Sequence, residues 1–376
     1  MAKYIHQHRN YPEFTWDRVL IINHLTHISI LQGRVLGKMQ QLGFGDQKEA
    51  MLNALTEEIT KSSEIEGEIL NSEQVRSSLA KRLDINLEKE ATASRHVDGI
   101  VEAMMDAVKN FDKPLTKTRL FGWHGSLFPT GYSGIQKIRT GKYRDGEMQV
   151  VSRKYTHEPQ PSLKGEGSPL DIVHYEAPLP EKVSGQMTEF LDWLNKDNEN
   201  PLLKAAIAHL WFVIIHPFDD GNGRLTRIIT EMLLARSENT SLRFYSMSSQ
   251  IQKEKKTYYK VLELTTTGSL DITEWLVWFF SCLRKSIEAS EEIAGIVLKK
   301  ATFWQKNALL IPNKIQQEII NRLFDGFIGN MSSGKAAKIF KVSQDTAARH
   351  LKELCDKGFL EIKGSGRSTH YVLKEM

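Results

Sequence analysis

The chain has 376 residues, 40% of them hydrophobic, enough for a sizeable core and two or three domains. Two cysteines, Cys282 and Cys355, exclude a disulfide scaffold and suit a reducing cytoplasm. No signal peptide or bilayer-spanning apolar run is expected, so a cytoplasmic protein without membrane contact is predicted.

The first 128 residues carry helical spacing. Val19, Ile22, Leu25, Ile28, Leu31, Val35 and Met39 recur at three- and four-residue intervals before Leu42-Gly43. A second helix begins near Lys48, turns Leu52, Leu55 and Ile59 inward, and ends in Lys61-Ser62-Ser63-Glu64-Ile65-Glu66-Gly67-Glu68, where Gly67 suits a C-cap. Ser72 suits the N-cap of a third helix, residues 91–109 form a fourth, and Thr116 opens a fifth. Between Pro129 and Pro180 the helical signal gives way to glycine-punctuated β-type segments at 148–152 and 171–175. Helices resume at 183–194 and at 203–215, the latter opened by Asn200-Pro201, then at 224–236, 249–265, 273–288 and near 290–305. The tail changes character. From Thr302 onward, 12 Lys+Arg stand against 7 Asp+Glu, a net +5 within an overall +4. Helices at 315–324, 333–340 and 344–357 precede two strands joined by Gly364-Ser365-Gly366-Arg367, the order of a winged helix-turn-helix.

One stretch stands out: Ile215-His216-Pro217-Phe218-Asp219-Asp220-Gly221-Asn222-Gly223-Arg224-Leu225-Thr226-Arg227. It closes one apolar helix and opens another across a glycine-rich turn. Free backbone N–H groups and the macrodipole at such an N-terminus favour an anion. Arg224 and Arg227, three residues apart on one face, are mildly unfavourable there without one. The stretch reads as a polyphosphate cradle with His216 on its lip and Asp220 available for a metal.

The same stretch resembles the signature of the Fic (Fido) family, His-Pro-Phe-x-Asp/Glu-Gly-Asn-Gly-Arg-x-x-Arg, at every fixed position. His209 stands where the family often has a second histidine, and Gly141-Lys142-Tyr143-Arg144 resembles its Gly-x-Tyr-Arg segment. The resemblance spans roughly residues 91–289. It implies a mainly α fold: a helical Fic core (91–289) with a β-hairpin flap, behind an N-terminal helical domain (1–90) and ahead of a linker helix and winged helix (290–376). It implies transfer of AMP from ATP to a Ser, Thr or Tyr hydroxyl of a target protein. His216 would be the general base and Asp220 the Mg²⁺ ligand, while Gly221, Asn222, Gly223, Arg224, Leu225, Thr226 and Arg227 would line the phosphate cradle. Asn222 would donate to the α-phosphate, and Arg224 and Arg227 would take the β- and γ-phosphates. Asp219 is read as a solvated neighbour.

By alignment with the family, Ile172, Val173, His174 and Tyr175 form the flap strand that aligns a target backbone by β-augmentation. Tyr258 and Tyr259 match a tyrosine pair bordering the adenine, and Thr266 stands where relatives commonly have asparagine. Ser62, Glu66 and Gly67 match the family's inhibitory pattern Ser/Thr-x-x-x-Glu-Gly/Asn. A carboxylate beside Arg227 would replace the γ-phosphate contact, and because the pattern precedes the core the chain resembles the class with an N-terminal inhibitory helix. Three activities stay open: an autoinhibited adenylyltransferase, a de-AMPylase that uses Glu66 to orient water, and a nucleotide-sensing transcriptional regulator. For the winged helix, DNA contact through Arg349, His350, Lys363 and Arg367 stands beside a protein-docking role, and a homodimer is open.

Overall fold

The computed structural model describes residues 3–87, 89–153, 171–196, 199–324 and 330–374. The chain divides into two compact units, one comprising Met1–Val35 and Phe44–Ser290, the other Leu36–Gly43 and Glu291–Met376. The fold is mainly α, with small β-hairpins.

Three helices open the chain: α1 (Arg18–Gln40), α2 (Phe44–Ile65) and α3 (Ser72–Leu83). The buried face of α1 is Ile21, Ile28, Leu31, Val35 and Met39, whereas Val19 and Ile22 are 76% and 59% exposed. Both faces of its first turns are apolar, so spacing alone selected the wrong start of the stripe. By length and composition α1 meets the measure of a membrane-crossing helix, against the sequence expectation that no run does. On α2, Met51, Leu52, Leu55 and Ile59 face inward. Its end is a Schellman turn: Glu68 N–H donates to Ser63 O and Gly67 N–H to Glu64 O, each at 3.0 Å, with Gly67 at φ +84°. The N-cap of α3 is Asn71, not Ser72, because Asn71 Oδ1 accepts from the N–H groups of Glu73 and Gln74.

Next come α4 (Arg95–Lys109) and α5 (Lys117–Leu127), capped by Ser94 and Thr116. A two-residue hairpin, β1 (Tyr132–Ser133) with β2 (Gln136–Lys137), precedes the antiparallel pair β3 (Gln149–Arg153) and β4 (Asp171–Glu176). The register of β3 and β4 shifts between Val150 and Val151, and their connection lies outside the described residues.

Then α6 (Pro180–Asn195) leads to the buried centre of the first unit, α7 (Pro201–Ile215) and α8 (Asn222–Glu238). Asn200 caps α7 by accepting from Leu202 N–H and Leu203 N–H, with Pro201 at the first helical position. Almost every side chain of α7 is buried, as its unbroken apolar sequence requires. The predicted 249–265 helix is two, α9 (Met247–Lys253) and α10 (Lys255–Thr266), while 273–288 and 290–305 are one helix, α11 (Thr273–Asn307).

In the second unit, α12 (Lys314–Phe324), α13 (Ser333–Phe340) and α14 (Gln344–Asp356) are followed by β5 (Leu360–Lys363) paired antiparallel with β6 (His370–Leu373). Phe303, Ile319, Ile320, Leu351, Leu354 and Leu360 are among its core side chains. Ser332 and Ser343 cap α13 and α14. Arg349 and Lys363 are exposed, and the Arg367 side chain lies outside those described. His350 corrects the sequence reading. It is 7% exposed, sharing the α14 face of Ala347, Leu351 and Leu354, with Nδ1 3.4 Å from Gln316 Nε2. That face serves the core, so His350 is not offered to a base.

Candidate active site

The loop between α7 and α8 is held from several sides. His216, the C-cap of α7, takes a left-handed conformation (φ 49°), and its N–H donates to Phe212 O at 3.0 Å. A non-glycine residue there is uncommon and costs energy that its surroundings must supply. Arg144, 3% exposed, supplies part of it. Its Nε donates to His216 O at 2.8 Å and its other nitrogens to the carbonyls of Gly146, Pro178 and Ile215, while its backbone N–H reaches Pro217 O.

Asn222 closes the loop across itself: its Oδ1 accepts from Phe218 N–H at 2.9 Å and its Nδ2 donates to Phe218 O at 2.8 Å. Both groups of the amide are thereby used within the loop. The side chain thus has a structural role in the loop, with the second N–H of its amide not used in these two bonds. His124, fully buried and stacked on Phe218 at 4.1 Å, accepts from Gly141 N–H through Nδ1 and donates to Asp220 O through Nε2. Burial pushes its pKa down to about 4, outweighing the backbone hydrogen bond to Asp220. Sequence reasoning missed this histidine because its partners lie 17 and 96 positions away, outside the helix that carries it. Asp219 is no solvated neighbour: it takes Arg139 Nε at 3.1 Å and NH2 at 2.9 Å.

His216 Nδ1 lies 3.3 Å from Val213 O, so Nδ1 carries the proton and Nε2 keeps a lone pair. Burial lowers its pKa to about 4. The Val213 carbonyl, Glu66 and Asp220 oppose that shift and Arg144 adds to it, so the ring is neutral near pH 7. His216 lines a cavity of about 740 Å³ together with Glu66, Gly223, Val150, His174, Tyr259 and Thr266, among others.

The N-terminus of α8 faces this cavity, with Gly221 in a left-handed conformation at the cap. A carboxylate stands over it. A Cβ on Gly223 would fall 2.0 Å from Glu66 Oε1, so only glycine admits Glu66 this close to the helix backbone. The same Oε1 accepts from Arg227 NH2 at 2.7 Å. Arg227 is 1% exposed and also donates to Ser62 Oγ and Ser62 O, each at 2.8 Å. Burial would lower its pKa, but the Glu66 carboxylate together with Tyr258 and Tyr259 outweighs this and the net shift is upward. Its NH1 is buried without a partner among the described residues. Arg224, 6% exposed, lies over the Phe128 ring at 4.8 Å, and its NH1 donates to Glu68 Oε2 at 2.7 Å. Glu68 was not singled out from sequence, where nothing marks it apart from its neighbours.

Asp220 takes the Ser133 hydroxyl and its following backbone N–H, yet its side chain is 42% exposed. Among the described residues no cluster of three or more His, Cys, Asp or Glu side chains forms a protein cage for a metal. One accessible carboxylate suits Mg²⁺, which commonly binds through one or two carboxylates, substrate phosphates and water. Leu225 and Thr226 are not brought to the cavity. Both are fully buried, Leu225 N–H is taken by Gly221 O, and Thr226 Oγ1 donates to Asn222 O.

Tyr258 and Tyr259 both line the cavity but differ. Tyr258 is buried in a chain running through His209 to Thr230 and Thr226, whereas Tyr259 is 41% exposed and offers its ring. On the flap, His174 Nδ1 meets Glu263 Oε1 at 2.8 Å, and the buried Tyr175 donates to Ile214 O. Val173 is on the surface, and of Ile172 only the backbone is described.

Residues 114–234 match the profile of the Fic/DOC family, and residues 4–85 that of a domain of unknown function, DUF4172. The chain is similar to "Protein adenylyltransferase Fic" of Nematostella vectensis, 31% identical over 140 residues that cover 33% of this chain and 30% of that protein. It is also similar to "Protein adenylyltransferase fic-1" of Caenorhabditis elegans, 43% identical over 61 residues, 15% of this chain and 12% of the relative. The match thus spans less than a third of either relative. In fold it resembles a Fic family protein from Desulfovibrio desulfuricans G20, with TM-score 0.55 and 21% identity over 97% of this chain and 98% of that one.

Proposed function

We propose that residues 114–234, which match the Fic/DOC family model, are a Fic core and that the protein is an autoinhibited adenylyltransferase. It would transfer AMP from ATP to a hydroxyl side chain of a target protein. The observation that carries this reading is His216: a neutral imidazole with Nδ1 committed to Val213 O and Nε2 free, at the rim of a helix N-terminus built for an anion. In the reaction the target oxygen forms its bond to the α-phosphorus while the bond from that phosphorus to the bridging oxygen breaks. The hydroxyl proton passes to His216 Nε2, and pyrophosphate leaves.

The backbone N–H groups at Gly223 and Arg224 would stabilise charge on the phosphates, and the Arg224 and Arg227 guanidiniums would take the leaving pyrophosphate. Mg²⁺ at Asp220 would neutralise phosphate oxygens. Tyr259, not Tyr258, has the accessible ring to border the adenine. The target segment would add to the open edge of the two-stranded flap.

Glu66 supplies the autoinhibition. Lying on Gly223 and paired with Arg227, its carboxylate stands where a phosphate would stand, and Ser62 fixes the same guanidinium. In the second unit, three helices and a hairpin support a winged helix, with Arg349 exposed on the third helix for DNA bases and Lys363 on the wing for phosphates.

The test is mass spectrometry of a lysate treated with ATP and the Glu66→Gly protein. A protein adduct of AMP supports transfer, and loss of a pre-existing adduct supports de-AMPylation. Absence of both leaves only nucleotide sensing. Equal auto-AMPylation by wild type and Glu66→Gly would remove the inhibitory role.

A further inference from the structure

Two carboxylates, not one, reach the arginines of α8 from the turn that ends α2. Glu66 and Glu68 flank Gly67, whose left-handed conformation reverses the chain. The reversal sends Glu66 to Arg227 and Glu68 to Arg224, each with an N–O distance of 2.7 Å. The two arginines are three residues apart on one face of α8, so a single turn meets both. Glu68 is also tied down on its other side, since His96 Nε2 lies 2.5 Å from Glu68 Oε1 while His96 Nδ1 meets Leu127 O at 3.0 Å. Arg224 has little freedom: it is packed on Phe128, its Nε is buried without a partner among the described residues, and Asp220 Oδ1 lies 3.8 Å from its NH2. Burial would raise the Glu68 pKa, but His96 and Arg224 outweigh it and hold the group ionised.

We propose that the inhibitory turn is a two-pronged clamp, in which Glu66 occupies Arg227 and Glu68 occupies Arg224, so that both guanidiniums for the pyrophosphate part of ATP are charge-paired at rest. This rests on the adenylyl-transfer reading of the same site. Removing Glu66 frees Arg227 alone. Arg224 stays paired through Glu68, and ATP must still compete for it.

The test measures ATP binding by calorimetry in a background carrying Glu66→Gly and His216→Ala, so that nothing turns over. Adding Glu68→Gln, which keeps the shape but removes the charge, is expected to tighten ATP about three- to tenfold. Glu68→Asp, one methylene shorter, is expected to tighten it in the same direction by less. Glu64→Gln removes the same charge from a half-buried position paired with Lys61 and Gln252 and leaves Arg224 alone. It is expected to change affinity by less than twofold. Unchanged or weaker ATP binding with Glu68→Gln overturns the second prong alone, as does an equal gain from Glu64→Gln. Absence of ATP binding in every variant overturns the adenylyl-transfer reading and this inference with it.

Discussion

The catalytic turn around His216 and the acidic turn around Glu66 converge on the N-terminus of α8, yet they are held by different means. The catalytic turn is fixed by buried groups: Arg144 on four carbonyls, Asn222 across the loop, and His124 under Asp220. The acidic turn is anchored by the buried Glu58, which accepts from Ser246 Oγ and from Ser248 N–H and Oγ, but it ends in carboxylates about one-third exposed. Ion pairs with an exposed partner are weak, and a buried hydrogen-bonded charge is costly to disturb. On the function proposed above, the contrast is that of a preorganised site under a releasable cover: the loop around His216 stays fixed, while the Glu66 and Glu68 contacts would be exchanged for phosphate.

The comparison can be broken at its strongest point first. In the Glu66→Gly background, His216→Ala should lower auto-AMPylation with labelled ATP by roughly 10²-fold or more, the scale of a lost general base. Retained labelling would show that another group takes the proton. Arg144→Met removes the guanidinium from four carbonyls without touching the cavity. It should cost about tenfold or more in labelling, because a misplaced His216 loses alignment. A melting temperature that falls while labelling holds would make Arg144 purely structural.

Glu58→Ala probes the anchored side of the cover. It removes the acceptor of Ser246 Oγ and of Ser248 N–H and Oγ, costs about 2–3 kcal/mol of stability, and should raise basal labelling a few-fold by loosening α2. Calorimetric unfolding and the labelling assay read the two effects separately. The pH profile sharpens the other side. Because burial holds the pKa of His216 near 4, its lone pair is present above that value and is lost as pH falls through it. The kcat/KM of the Glu66→Gly protein should therefore stay level from neutral pH to about 5 and decline below; a limb centred near 6.5 would contradict the burial of the ring. The smallest effect is expected in the second unit. If it meets DNA, Arg349→Ala should weaken binding a few-fold and reduce its salt dependence, while His350→Ala should lower stability instead.

How much was legible depended on whether the partners of a residue lie near it in the chain. The turn from His216 to Arg227 could be read as a helix–turn–helix junction because it is a local device, made of one helix N-terminus, two glycines and arginines at helical spacing. The cap at Asn200-Pro201 was legible for the same reason. Asn222 and Asp219 were read as ligand-facing or solvated because their occupants, Phe218 and Arg139, become partners only when the loop closes. The two tyrosines looked equivalent in sequence, and only packing made Tyr258 a buried link to His209 and left Tyr259 its open ring. On α1 and α14, residues on two helical faces were compatible with the pattern, and tertiary contacts chose Ile21 over Ile22 and drew His350 inward.

By itself the sequence determined the helical character and the glycine turn with arginines at helical spacing, since these rest on periodicity and capping chemistry; the pairing of the acidic segment with that turn was expected only from the resemblance to a family pattern. Tertiary structure alone decided which side chains remain available. It spent Asn222 on the loop, set Arg144 and His124 beneath it, and brought Glu68 to Arg224 across 156 positions. The physical reason is that a buried polar group must find a partner wherever the fold provides one.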